Sequence, residues 1–150
     1  MNILVTVGTT CFDSMIDAVD KCAAELKQHQ FVFQTADGHY KPLHGKYFDF
    51  VDSIDDYYHN SDIIITHAGA GSTYKLLELR KKIVVVPNLE RVDKHQSDIA
   101  RFLEDNNYAL VVWDLNTLLD ILRSLDNFHP STYEKEPFFK AEEIAAFIAQ

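Results

Sequence analysis

Two cysteines in 150 residues, Cys11 and Cys22, are too few for a disulfide scaffold and do not form a CxxC pair. Both read as plain thiols in a reducing cytoplasm. Positive charge is scarce as well: 14 Lys and Arg against 23 Asp and Glu leave a net charge of −9. That balance argues against general affinity for DNA or RNA, although a nucleotide needs only a local patch. No apolar run approaches the ~20 residues of a membrane span. Met1-Asn2-Ile3-Leu4-Val5 lacks the basic region and longer apolar core of a signal peptide, so the expected location is cytoplasmic. There is no internal repeat, no low-complexity tract and no dividing linker, so residues 1–150 read as one domain with a proper core. After the first strand the chain reads Gly8-Thr9-Thr10 rather than GxGxxG, which disfavours a Rossmann-type oxidoreductase.

What is present is an ordinary globular balance, 47% hydrophobic and 25% charged, and one stretch around which the rest is arranged. Asp62-Ile63-Ile64-Ile65-Thr66 runs into His67-Ala68-Gly69-Ala70-Gly71-Ser72-Thr73. The isoleucines do not alternate with polar residues, the mark of a strand buried on both faces. Gly69 and Gly71 permit backbone angles and close approach that a Cβ would forbid. Ser72 or Thr73 is the expected cap of the following helix. A strand, a tight glycine turn and a helix N-terminus with free N–H groups bind anions, phosphates above all, though an ordinary βα turn has the same spacing.

The remaining chain alternates strands with helices. Strands are expected at 3–7, 31–35, 47–51, 83–87 and 109–113. Helices are expected at 13–27 with Asp13 or Ser14 as cap, at 54–59, after the glycine turn to about Arg80, at 95–106, at 115–125 and at 142–149. Residues 126–137 read as a surface crossing. The pattern predicts an α/β fold: a Rossmann-like parallel sheet with helices on both faces. Ligands of such sheets bind beyond the carboxyl ends of the strands, where the turns at Gly8, at Gly69 and after Pro87 all lie.

Val5-Thr6-Val7-Gly8-Thr9-Thr10 with Phe12-Asp13, then Ile65 through Ser72, then Val85-Val86-Pro87-Asn88 and Asp93-Lys94-His95-Gln96 resemble one family over about residues 1–125. It is the C-terminal, nucleotide-sugar half of glycosyltransferases with the two-domain GT-B fold. The likeness is nearest to stand-alone versions of that half: the soluble subunits of bacterial capsule and exopolysaccharide transferases and of the eukaryotic dolichol-linked GlcNAc transferase. The resemblance implies a donor-binding subunit of an inverting UDP-sugar transferase acting on a lipid-linked saccharide at the inner face of the cytoplasmic membrane. It also implies a second, membrane-anchored subunit that binds the acceptor and carries the base, because the chain begins at the donor domain's first strand. Alone, the chain is expected to be inactive and able to self-associate. The alternatives are a nucleotide-binding regulatory module without transferase activity and a GlcNAc transferase subunit of the dolichol type.

By the same resemblance, Gly69, Ala70, Gly71 and Ser72 give N–H groups to the diphosphate, and Gly8 and Thr9 form the lip of the cleft. His67 either stabilises the leaving UDP or is a core histidine bonded to a carbonyl. His95 and Gln96 reach the sugar hydroxyls, Asn88 faces the same edge, and Asp93 caps a helix. Lys75 departs from relatives that carry a ribose-binding carboxylate; either Glu78 holds ribose instead or Lys75 faces solvent. No Asp-x-Asp pair of the metal-dependent transferases occurs, so neither metal nor other cofactor is expected and the UDP-sugar is simply the donor substrate.

Overall fold

The computed structural model describes residues 1–90 and 95–133; Asp93 and the expected helix at 142–149 lie outside them. Six strands form one sheet: β1 (Asn2–Thr6), β2 (Gln30–Gln34), β3 (Lys46–Phe48), β4 (Ile63–Thr66), β5 (Lys82–Val85) and β6 (Leu110–Val111). Their order is β3-β2-β1-β4-β5-β6 and every neighbouring pair is parallel. The helices are α1 (Asp13–Glu25), α2 (Asp55–Asn60), α3 (Ala70–Glu78), α4 (His95–Asp105) and α5 (Leu118–Arg123).

Successive strand residues point to opposite faces, and both faces are covered. Ile3, Val5, Ile63, Ile65 and Val84 pack with Met15, Ile16 and Val19 of α1 and with Leu118 and Leu122 of α5. Leu4, Ile64, Ile83 and Val85 pack instead with Tyr58 of α2, Leu76 and Leu77 of α3, and Ile99 and Leu103 of α4. This double burial is why the central strands read as unbroken apolar runs. Each isoleucine of β4 is at most 2% exposed, and such burial contributes about 1.5–3 kcal/mol per side chain.

The differences from the expected elements are local and have local causes. No side chain caps α1: Phe12 stands at the cap position, and the Asp13 carboxylate instead accepts the backbone N–H of His39 at 2.9 Å. The strand expected at 47–51 ends at Phe48, and that expected at 109–113 shrinks to Leu110–Val111. The helix expected at 115–125 begins as a 3-10 turn, because the Asp114 carboxylate takes the N–H of Asn116 at 2.9 Å and the Thr117 hydroxyl bonds to Asp114 O. It stops where the Ser124 hydroxyl takes the Ile121 carbonyl, a side-chain bond that competes with helix continuation. The crossing expected at 126–137 is not all surface: Phe128 and Tyr133 are buried, and Tyr133 meets Tyr74 and Tyr108 edge-on.

One buried carboxylate organises the long β2–β3 connection. Asp20 of α1 accepts the Tyr40 hydroxyl at 2.7 Å, the Leu43 N–H at 3.0 Å and the His44 N–H at 2.9 Å, with His44 Nδ1 at 3.1 Å. Burial raises its pKa, but the bonds from Leu43, Tyr40 and His44 outweigh it and hold the carboxyl below the ordinary range.

Candidate functional site

From β1 the chain builds outward through β2 to β3; from β4 it builds the other way through β5 to β6. The β1–β4 pair is therefore the topological switch point, the place where parallel sheets open a crevice at their carboxyl ends. The two glycine turns singled out in the sequence leave the sheet here, side by side.

Gly8 has φ +70°, a left-handed conformation that side chains resist. Its N–H donates to Gln34 Oε1 at 3.0 Å, so Gly8 contributes shape rather than a donor. Thr9 beside it is exposed. The half-buried His67 ring lies between the two turns: a Cβ on Gly8 would stand 3.4 Å from it and one on Gly69 2.7 Å from its Cε1. Thr66 Oγ1 lies 3.4 Å from His67 Nδ1.

Helix α3 starts without a side-chain cap. Gly69 occupies the cap position, neither Ser72 nor Thr73 serves as cap, and the first helical bond runs from Thr73 N–H to Gly69 O at 3.0 Å. Glycine has no side chain to cap with, and both hydroxyls sit within the first turn; that of Thr73 is buried. The N–H groups of Ala70, Gly71 and Ser72 belong to the orphan set of a helix N-terminus, which carries about half a positive charge. Beside Gly71 a Cβ would meet nothing within 4 Å, so the turn is open there.

The predicted residues beyond β5 also come together. His95 opens α4, and Gln96 Oε1 accepts the Asn88 N–H at 2.8 Å while both residues are buried. The carbonyl end of Gln96 thus holds the loop after Pro87, and any contact with a ligand hydroxyl falls to its NH2 end. Two candidates are elsewhere. Lys75 is half exposed and ion-paired with Asp55 of α2. Glu78 ends α3, about 12 Å of helical rise from its start.

An open groove of about 220 Å³ runs from the Gly8 turn along the α2 side of the edge. Ser72, Thr9 and Thr6 line one part; Gln34, Phe50, Val51, Asp52, Ile54 and Tyr58 line the rest. The Tyr58 hydroxyl is pushed up by burial, with Ser72 and Lys75 acting against that and Asp55 with it. None of the second group was singled out from the sequence. Phe50 and Val51 stand out only in the structure, as large apolar residues 53% and 43% exposed in a loop at the carboxyl edge where a strand was expected. Among the described residues no group of three or more His, Cys, Asp or Glu is arranged to hold a metal, and no helix is long and apolar enough to cross a membrane.

A model of the family described as Glycosyltransferase family 28 C-terminal domain matches residues 2–148. Among curated proteins, the UDP-N-acetylglucosamine–N-acetylmuramyl-(pentapeptide) pyrophosphoryl-undecaprenol N-acetylglucosamine transferase of Thermosipho melanesiensis is 26% identical over 140 residues, covering 89% of this chain and 42% of that protein. The mouse UDP-N-acetylglucosamine transferase subunit ALG13 is 33% identical over 116 residues, covering 69% of this chain and 10% of that protein. The chain thus spans less than half the length of these relatives. Among solved structures, Acinetobacter baumannii MurG superposes with TM-score 0.68 at 22% identity, over 84% of this chain and 41% of that one. The solution structure of ALG13 superposes with TM-score 0.68 at 20% identity, over 97% and 96%. The fold is the Rossmann-like C-terminal domain of GT-B glycosyltransferases.

Proposed function

The chain belongs to the glycosyltransferase family 28 C-terminal domain family, and from that premise we propose that it is the donor-binding half of an inverting, UDP-sugar-dependent glycosyltransferase. The observation that carries this reading is the uncapped N-terminus of α3 at the switch point, open at Gly71 and flanked by the Gly8 turn. The N–H groups of Ala70, Gly71 and Ser72, reinforced by the helix dipole, hold the diphosphate. They are fixed before reaction, where negative charge grows on the leaving UDP, so they favour the transition state without rearranging. His67, between the two glycine turns, adds a donor to the same charge. The nucleoside lies along the groove past Ser72 toward Phe50–Asp52, and the sugar points the other way, toward Asn88, His95 and Gln96.

Transfer with inversion also needs a base beside the acceptor hydroxyl. We assign that base to an acceptor-binding partner facing the carboxyl edge, with the acceptor a lipid-linked saccharide of surface polysaccharide synthesis. A membrane-anchored partner would hold this chain at the inner face of the cytoplasmic membrane. The mouse relative is named as a transferase subunit, which supports a divided enzyme. A second depression of about 470 Å³ at the same edge, lined by Phe12, Val86, Pro87, Trp113 and the 56%-exposed Leu89, supports docking there. Calorimetry with UDP, UDP-sugars and NAD tests the nucleotide half of the proposal. Binding of UDP and of at least one UDP-sugar but not NAD is expected; absence of UDP binding would overturn it.

A further inference from the structure

Gln34 ends β2 and is 3% exposed, and the contacts of its amide sort by chemistry. Its Oε1 meets only donors: the Thr6 hydroxyl at 2.5 Å, the Val7 N–H at 3.1 Å and the Gly8 N–H at 3.0 Å. Its Nε2 faces only carbonyls: Gly8 O at 2.8 Å and Asp49 O at 2.8 Å. With donors at one end and acceptors at the other, the amide has one orientation.

The two segments it joins leave different strands. The Gly8 turn follows β1, and the loop from Asp49 follows β3; β2 lies between these strands, so no ladder bond sets one exit against the other. Asp49 O also accepts from Ala36 N–H just past β2, but Gln34 is the side chain that bonds both exits. One exit leads to the phosphate end of the groove and the other to Phe50, Val51 and Asp52. Resting on the reading of this edge as a nucleotide site, we propose that Gln34 is a positioning residue. Its amide fixes the left-handed Gly8 turn and the 49–52 loop as one unit, so that the diphosphate and nucleoside ends of the groove are set relative to each other.

Gln34→Glu is nearly isosteric and discriminates. The acceptor end is kept, but an ionised oxygen replaces the NH2 group that faced Gly8 O and Asp49 O. Protonating the introduced carboxyl restores a donor, and burial moves that protonation toward neutral pH. UDP titrations of the full chain and of the variant, run in parallel, should show the variant weaker by about tenfold near pH 8 and within about threefold near pH 5. His67, Asp49, Asp52 and Tyr58, with Lys75 and Asp55 beside Tyr58, are the ionisable groups around the groove; they and UDP are common to both proteins, so the effect is read as the ratio to wild type. Without ligand, amide exchange at Gly8 and at residues 50–52 should rise together in the variant. Thr6→Val, which removes one donor to Oε1 and little volume, should weaken UDP a few-fold at both pH values.

A folded Gln34→Glu protein with wild-type UDP affinity near pH 8, or with a loss unchanged near pH 5, would overturn the proposal. If that variant does not fold, unchanged affinity in Thr6→Val overturns it. A wild-type chain that fails to bind UDP removes the nucleotide reading instead, and the exchange comparison then still decides whether Gln34 couples the two loops.

Discussion

At Gly71 the backbone N–H belongs to a helix start while nothing occupies the space a side chain would fill. Gly71→Asp therefore separates binding from folding. The new carboxylate suits a helix N-terminus, so the melting temperature should hold or rise slightly. Against a diphosphate about 5 Å away it opposes binding by about 3 kcal/mol at an effective dielectric of about 20, roughly a hundredfold in affinity. Unchanged UDP affinity in the folded variant would show that the anion sits elsewhere. Gln96→Ala separates sugar from nucleotide. It should weaken a UDP-sugar by about 0.5–1.5 kcal/mol more than UDP. It should also lower stability, because the buried Asn88 N–H loses its acceptor. Equal losses for the two ligands would place Gln96 away from the sugar. The glycines were legible at this scale because their chemistry is local. Gln34 was not: its partners lie 15, 26, 27 and 28 residues away, and no spacing rule marks a lone glutamine at a strand end.

Among the elements, the loop clamped by Asp20 makes a sharp stability prediction. Asp20→Asn keeps one acceptor oxygen but faces donors with an NH2 group, and should cost about 2–3 kcal/mol at neutral pH. The wild-type carboxyl is depressed, so its contribution is complete above the unfolded pKa of about 3.9 and is lost as pH falls through the lower folded value. Urea midpoints of the two proteins should therefore converge below about pH 4; a constant gap down to pH 2 would mean the bonds are not charge-assisted. Strand and helix identities were legible because apolar runs and 3.6-residue stripes are set by burial. Ends were not. Asp13, Ser72 and Thr73 look like caps, yet tertiary geometry gives Asp13 to His39, buries Thr73 and puts Gly69 at the cap of α3.

For the whole molecule, the question is what lies opposite the carboxyl edge. The described residues form one sheet, and among them nothing closes the proposed anion trap at the carboxyl edge off from water, which would compete for an activated donor. The purified chain should bind UDP yet transfer nothing to a lipid-linked acceptor until an acceptor-binding partner is added. Robust stoichiometric transfer by the pure chain would refute the divided enzyme. With the partner present, EDTA should leave transfer intact, since helix N–H groups rather than an Asp-x-Asp ion pocket are assigned to the diphosphate; loss in EDTA with recovery in Mn²⁺ would contradict that assignment. The strand order was foreseen only as a class, because βα alternation dictates parallel pairing and leaves open which side of β1 receives β4.

The glycine at the start of α3 has a thermodynamic consequence. A serine or aspartate cap is worth about 1 kcal/mol to a helix, and this one forgoes it. A side chain at this position requires the His67 ring to move, since a Cβ there would stand 2.7 Å from its Cε1. The first turn is thus left unfinished, and in the proposed donor site a bound phosphate would complete it. Ligand occupancy and fold stability become one quantity: at a hundredfold excess over Kd, a ligand specific to the folded state adds about 2.7 kcal/mol. Selection for a more heat-resistant chain and selection for a tighter donor site would pull in opposite directions at this helix start, at Gly69 and at Gly71 alike.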